Sequence, residues 1–256
     1  MRTRLLLALT AALGGLAGCG DRQARGKHPQ IDAGALEGEG FLAAPALTGV
    51  RAEGQMILLE GTAAPGAQMQ LEGAGRLATT TDRTGRWRFR LPASPEARVF
   101  GLSLRLAGRV VRAQGDVLVT PSGHAAMLLA GGGAVTPSAT GAPRITAFDF
   151  DRQGAAIVSG VAPRGSAISL RIDGRQAAAG AVGPDGRFSL SLPQPVSAGA
   201  HAVELVGDAF RANVQIDSTP APPMTDAALR TSLTAQGLRV DWTTPGGGVQ
   251  STWVLN

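Results

Sequence analysis

The chain has 256 residues, 44% of them hydrophobic, with 36 glycines, 16 prolines, one cysteine, three histidines and no tyrosine. This composition excludes a disordered chain, a collagen-like chain and a disulfide-stapled scaffold, and it leaves a turn-rich globular protein whose core rests on apolar packing. The net charge of +5 comes almost wholly from arginine, since Lys27 is the sole lysine.

Taken from the start, Arg2 and Arg4 precede an apolar run from Leu5 to Leu13 and then small residues. That is the layout of a secretory signal, and the run is too short to span a bilayer, which needs about 20 apolar residues. Residues 16–19, Leu-Ala-Gly-Cys, resemble the lipobox of bacterial lipoproteins. The resemblance implies removal of residues 1–18, acylation of Cys19 by diacylglyceryl and palmitate-type chains, and a membrane as partner through that lipid. Two or three acyl chains hold a protein on a bilayer far more firmly than one. The same resemblance implies, from Gly20 as second mature residue with Asp21 after it, the outer membrane, facing the periplasm or the cell surface. Residues 19–44 lack helical or strand periodicity and read as a flexible tether.

Beyond the tether lies an internal repeat, with copies spaced about 100 residues apart. Gly61, Gly66, Gly75, Gly85, Arg86 and Leu91 in one copy correspond to Gly160, Gly165, Gly174, Gly186, Arg187 and Leu192 in the other. Each copy reads as short strands. In RWRFRL, Trp87, Phe89 and Leu91 alternate with Arg86, Arg88 and Arg90, the period of a half-buried strand. RFSLSL repeats the pattern, and DRTG or GPDG before each supplies a hairpin turn. The expected fold is all-β: two tandem immunoglobulin-like β-sandwich domains at 45–120 and 143–217. A linker with an extra hairpin strand is expected at 121–142, and a C-terminal β-hairpin packed on the second domain at 218–256. The G-x-A-x-P-G-A and G-R-W/F-x-x-x-L-P patterns are similar to bacterial immunoglobulin-like repeats, and overlap with carboxypeptidase-regulatory-like sandwiches. Either resemblance implies spacing, adhesion or protein interaction and brings no catalytic residues.

The reactive inventory is sparse. His28, His124 and His201 share no metal-ligand spacing. Ser122 and His124 suit one strand face, but no neighbouring acid would orient the base. Asp149 and Asp151 in FDFD fit either half of a calcium site, with Asp173 or Asp185 as distant additions, or an inverting glycosidase pair. The ordinary reading is a strand with Phe148 and Phe150 inward and its acids wet. No catalytic residue, metal or cofactor is expected.

Arginines carry the remaining signal. Residues 45–120 hold ten arginines against six acids, and residues 143–217 hold seven against seven. Arg86, Arg88, Arg90 and Arg105 are the candidate anionic-ligand surface, for phosphate-bearing lipid headgroups, polysaccharide or extracellular DNA, because guanidinium groups bind phosphate in a bidentate fork. The inward Trp87 and Phe89 leave no base-stacking platform, so no specific nucleic-acid partner is expected. The expectation is a lipid-anchored envelope protein, a non-enzymatic binder or spacer for an envelope protein or an anionic polysaccharide. A glycan- or peptidoglycan-active enzyme and a calcium-dependent adhesin are the alternatives, and the oligomeric state is left open.

Overall fold

The structure is a computed structural model describing residues 41–73, 75–137, 141–225, 227–244 and 246–255. The signal, the lipobox with Cys19 and most of the tether lie outside the described residues. Leu42–Asn256 form one compact unit. Its described residues hold nineteen strands and no helix.

The first repeat supplies β1 (Ala46–Glu53), β2 (Met56–Thr62), β3 (Gln68–Gly73), β4 (Gly75–Thr80), β5 (Arg86–Pro92), β6 (Arg98–Leu106) and β7 (Arg109–Val119), followed by β8 (Ala125–Leu129) and β9 (Gly133–Val135). The second repeat supplies β10 (Arg144–Asp151), β11 (Ala156–Val161), β12 (Ala167–Ile172), β13 (Arg175–Ala181), β14 (Arg187–Ser191), β15 (Ala200–Gly207) and β16 (Phe210–Asp217). Three strands close the chain: β17 (Leu229–Leu233), β18 (Gly237–Thr243) and β19 (Val249–Leu255).

These strands make four antiparallel sheets. Sheet I has the order β1-β2-β5, sheet II β4-β3-β6-β7-β8-β9, sheet III β14-β11-β10-β19-β18-β17, and sheet IV β13-β12-β15-β16. Sheets I and II enclose one core, which includes Ile57, Leu59, Met69, Trp87, Phe89 and Leu104. Sheets III and IV enclose a second, with Phe148, Phe150, Leu170, Phe188, Leu205 and Trp253. Burying each such side chain removes enough apolar surface from water to contribute about 1.5–3 kcal/mol. The fold is therefore all-β and built of β-sandwiches.

A third cluster joins the two sandwiches. Leu118, Ala126, Leu128 and Ala134 leave sheet II on the face opposite its own core, and meet Ala147, Leu238, Val240, Trp242 and Val254 of sheet III. The period of two makes this work, because one strand serves two interfaces: Val117 and Val119 point into the first core while Leu118 points to the junction. The outcome is a stack of four sheets in the order I to IV. Every strand that widens sheets II and III at the junction, β8 and β9 on one side and β17 to β19 on the other, lies outside the repeat.

Each repeat carries the same local device. Gly61 pairs with Trp87, and Gly160 with Phe188. A Cβ on Gly61 would lie 2.1 Å from both the Ala46 carbonyl oxygen and the Trp87 indole, and one on Gly160 would lie 2.3 Å from the Arg144 carbonyl oxygen and 2.5 Å from the Phe188 ring. The glycine is the space over which the aromatic lies. A register shift follows in both copies, between Leu47 and Gly49 and between Ile145 and Ala147. It lets Ile145 and Phe148 face the same core although they are an odd number of residues apart.

Candidate functional site

The structure does not bring the four candidate arginines to one face. Arg86, Arg88 and Arg90 alternate along β5 with buried Trp87, Phe89 and Leu91, so they project from the outer face of sheet I. Arg105 stands on β6 beside the buried Leu104 and projects from the outer face of sheet II. The two outer faces lie on opposite sides of the first sandwich, because the inner faces share one core. Strand alternation shows which side of its own sheet a residue takes; only the pairing order shows which sheet that is.

The β5 row is largely engaged with acids. Arg88 Nε is 2.7 Å from Glu60 Oε1, and Arg90 Nη2 is 3.5 Å from Glu53 Oε2. Arg51 on β1 reaches both acids, with Nε 2.9 Å from Glu53 Oε1 and Nη1 3.2 Å from Glu60 Oε2. The hydrogen bond from Arg51 holds the Glu53 carboxyl below its ordinary range. Beneath these groups Leu58 is only 2% exposed although it faces outward from sheet I. It lies in register between Arg51 and Arg90.

The acidic pair of β10, expected on a wet face, is split. Asp149 is 2% exposed, because the β8–β9 hairpin crosses the outer face of sheet III above it. A Cβ added to Gly133 of β9 would lie 3.4 Å from Asp149 Oδ2. Thr252 Oγ1 donates to Asp149 Oδ1 at 2.5 Å, and Gln250 Nε2 donates to the same oxygen at 3.2 Å. Gln250 also reaches the hairpin, donating to the Leu129 carbonyl at 3.4 Å and accepting the Gly131 N–H at 3.2 Å. Oδ2 has no hydrogen bond of full geometry. Burial pushes the carboxyl up to about 7, against the downward pull of Thr252, Gln250 and the Ala134 N–H.

Asp151 has a different task. Its Oδ1 accepts the N–H groups of Gln153 and Ala155, both at 2.9 Å, and so shapes the β10–β11 turn. An inverting glycosidase needs two carboxyls facing one water and one sugar ring. Asp149 is held under the hairpin by Thr252 and Gln250 and Asp151 is committed to its turn, so the two do not present a matched pair of free carboxyls. The distant calcium candidates do not converge on it: Asp173 bonds His201, and Asp185 Oδ1 accepts the Arg187 N–H at 3.1 Å. Among the described residues no group of three or more acidic, histidine or cysteine side chains is placed to hold a metal.

His201, isolated in the sequence, has partners in the fold. Its Nδ1 lies 2.7 Å from Asp173 Oδ2 and its Nε2 2.8 Å from the Ser197 carbonyl oxygen. Both neighbours are acceptors, so the protonated ring, with a donor on each nitrogen, satisfies both. Burial opposes that charge, but the bonds to Asp173 and Ser197 outweigh it, and the ring titrates above its ordinary value. A general base needs a ring nitrogen aimed at its nucleophile, whereas here the nitrogens face Asp173 and the Ser197 carbonyl, with Ser197 Oγ at 3.5 Å. It is a clip between the β12–β13 turn and the loop before β15. No spacing could have found it, since the partners are 28 residues apart.

Ser122 Oγ and His124 Nδ1 do meet, at 3.0 Å, with Thr120 Oγ1 2.9 Å from Ser122 Oγ. Among the described residues no carboxylate bonds the pair, so the acid of a triad is missing, and the three side chains brace the β7–β8 turn.

No protein-family model matches the chain, and no curated protein sequence matches it. Among solved structures it is similar to a biofilm-associated protein's BSP domain, at 14% identity and a TM-score of 0.25, over 72% of this chain and 30% of that one. It is also similar to the central fibronectin-III array of RIM-binding protein, at 10% identity and a TM-score of 0.26, over 82% and 89% of the two chains. A third likeness is to Escherichia coli alpha-2-macroglobulin, at 13% identity and a TM-score of 0.22, over 81% and 19%. The chain thus spans under a third of the biofilm-associated chain it matches. None of these likenesses speaks to function at such identities and scores.

Proposed function

We propose that this chain is a lipid-anchored protein of the cell envelope that acts without catalysis, as a binding or spacing body held to the outer membrane through Cys19. The observation that carries the reading is the order of the first residues: two arginines, a short apolar run, then Leu16-Ala17-Gly18-Cys19 ahead of an unpatterned tether. The folded unit supports the second half of the reading. Its buried Asp149 carboxyl, its His201 ring and its Ser-His pair are each engaged in holding strands or turns together, and its bulk is a stack of sheets suited to presenting a surface.

The test compares the full chain with Cys19→Ser in a bacterial host. The native protein is expected in the membrane pellet and the detergent phase, with a mature mass that includes acyl chains. The variant is expected in the soluble fraction without that added mass. A native protein lacking acyl mass, or a variant that sediments with membranes as the native one does, overturns the anchor.

A further inference from the structure

Sheet III covers only part of the outer face of sheet II. Beyond the junction cluster, the portions of β3, β4, β6 and β7 that carry Gln70, Arg76, Arg105 and Arg112 remain open, and a groove of about 270 Å³ runs along the step, with Trp242 of β18 in its wall. Pairing order fixes what lies side by side in it. Gln70 of β3, Ser103 of β6 and Arg112 of β7 form one cross-strand row. The next row towards the junction is Glu72, Gly101 and Asp116. Arg105 stands two residues beyond Ser103, diagonal to Arg112.

The floor is low because its central residues are small. At Gly101 an added Cβ would be no nearer than 4.0 Å to Asp116 Oδ1 or to Glu72. Two guanidinium groups overlook this floor, and neither Arg105 nor Arg112 forms an ion pair among the described residues. Diagonal like charges on one sheet face repel, and a bound anion relieves them. In the β5 row Glu53 and Glu60 pair directly with the arginines, whereas in the trough Glu72 pairs with Arg76, at 3.0 Å, and leaves Arg105 and Arg112 to a ligand. Asp116 stays within Arg112's field, half-buried, with burial raising its carboxyl and Arg112 lowering it.

We propose that this trough binds a carboxylated glycan, with Arg105 and Arg112 on the carboxylate, and with Gln70, Ser103 and Gln114, an exposed residue of β7 that also lines the groove, on hydroxyl groups. The ligand class follows from the chemistry of the walls. Forked guanidinium groups match carboxylate, amides and a hydroxyl both donate and accept as sugar hydroxyls require, and the buried Trp242 offers no open ring on which a nucleic-acid base would stack. Three strands at about 4.8 Å spacing and four residues along β6 give a floor about 10 Å wide and 13 Å long, the scale of a short oligosaccharide. The inference rests on the binding half of the proposed function and is independent of the anchor.

The test is calorimetry on the full-length protein, solubilised in detergent, with a hexamer of galacturonic acid, its methyl ester as the uncharged counterpart, and a single-stranded oligonucleotide. The acid is expected to bind, the ester and the oligonucleotide not, and binding should weaken as salt is raised. Arg105→Ala combined with Arg112→Ala should lower affinity at least tenfold, whereas Arg88→Ala combined with Arg90→Ala should change it less than twofold. Gly101→Val fills the floor without removing charge, and should abolish binding while leaving the melting temperature in place. The assignment is overturned if the acid does not bind, if the ester or the oligonucleotide binds equally well, or if the β5 pair carries the loss. Because this assay needs no membrane, a failed anchor and a failed trough give separate results.

Discussion

Arg51 and Asp149 occupy the same place in the two repeats. Each lies four residues past the position paired with the repeat's critical glycine, Leu47 opposite Gly61 and Ile145 opposite Gly160, and each projects from the face of its sheet opposite the core. Arg51 meets water and two glutamates, whereas Asp149 lies under a hairpin, with two hydrogen-bond donors on one oxygen and none of full geometry on the other. The difference arises outside the repeat, from segments 120–135 and 229–255 that widen the facing sheets. Arg187 adds to the same weld, donating from Nη1 and Nη2 to the carbonyls of Thr136 and Pro137 at 2.7 and 3.0 Å. Within one repeated unit, the solvent exposure of a side chain is decided by which sheet a non-repeated strand joins.

What the repeats share can be broken first, and with the largest effect. Gly61→Ala and Gly160→Ala each drive a Cβ into a backbone carbonyl oxygen and an aromatic ring, contacts that cannot relax by a side-chain rotation alone. Each is expected to lose about 5 kcal/mol in denaturant unfolding or to fail to fold. A loss below about 1 kcal/mol in either would mean that the glycine is not the seat of its aromatic.

What they do not share can be isolated by pH. A carboxyl raised from its ordinary value to about 7 binds more protons in the folded state than in the unfolded one. Stability from this group is therefore greatest in acid and falls as pH rises from about 4 to about 7, by about 4 kcal/mol across the window. Asp149→Asn keeps the acceptor for Thr252 and Gln250 and removes the titration, so its melting temperature should exceed the native one at pH 8 and lose most of the decline from pH 5. His201 acts with the same sign higher up: its raised value means that its contribution is complete below about 6.5 and is lost as pH climbs through the folded value. A residual decline above neutrality in Asp149→Asn belongs to this ring, and His201→Gln in the same background should remove it. A native protein equally stable at pH 5 and pH 8 would contradict the burial of Asp149.

Part of this was legible in the chain. The alternation in RWRFRL placed Trp87 and Phe89 inward, and the glycines of DRTG and GPDG do take positive φ, at 77° for Gly85 and 80° for Gly186. Such signals are local, because a strand's period and a turn's φ are fixed by a few neighbours. The burial of Asp149 is not legible, for the complementary reason. Alternation says that it opposes Phe148 and Phe150, but whether the opposite face is water or another sheet depends on β9 and on Gln250, which lies 101 residues away. For Arg105 the same alternation gives the outward position but not the sheet, which the pairing of β6 with β3 and β7 decides. His201 carried no signal at all, since its acid comes from a turn whose Asp173 has a φ of 51°.

The smallest expected effect concerns what the arginine row of the first sandwich does for the fold. If its stems roof Leu58, then Arg90→Ala should cost stability through exposed apolar surface, whereas Arg90→Met, which keeps the stem and drops the charge, should restore most of it. The loss for alanine is about 2 °C in melting temperature, the scale of a partly exposed methylene pair in a chain this long. An ion-pair account makes the opposite prediction, since methionine would then be as damaging as alanine and high salt would erase the difference between native and variant. The two variants, melted at low and high salt, separate them. The second sandwich supplies the control: at the equivalent outer position Ile157 lies in register with Asp149 and beside the β8–β9 hairpin, so a backbone strap there covers the residue, and truncating an arginine cannot uncover it.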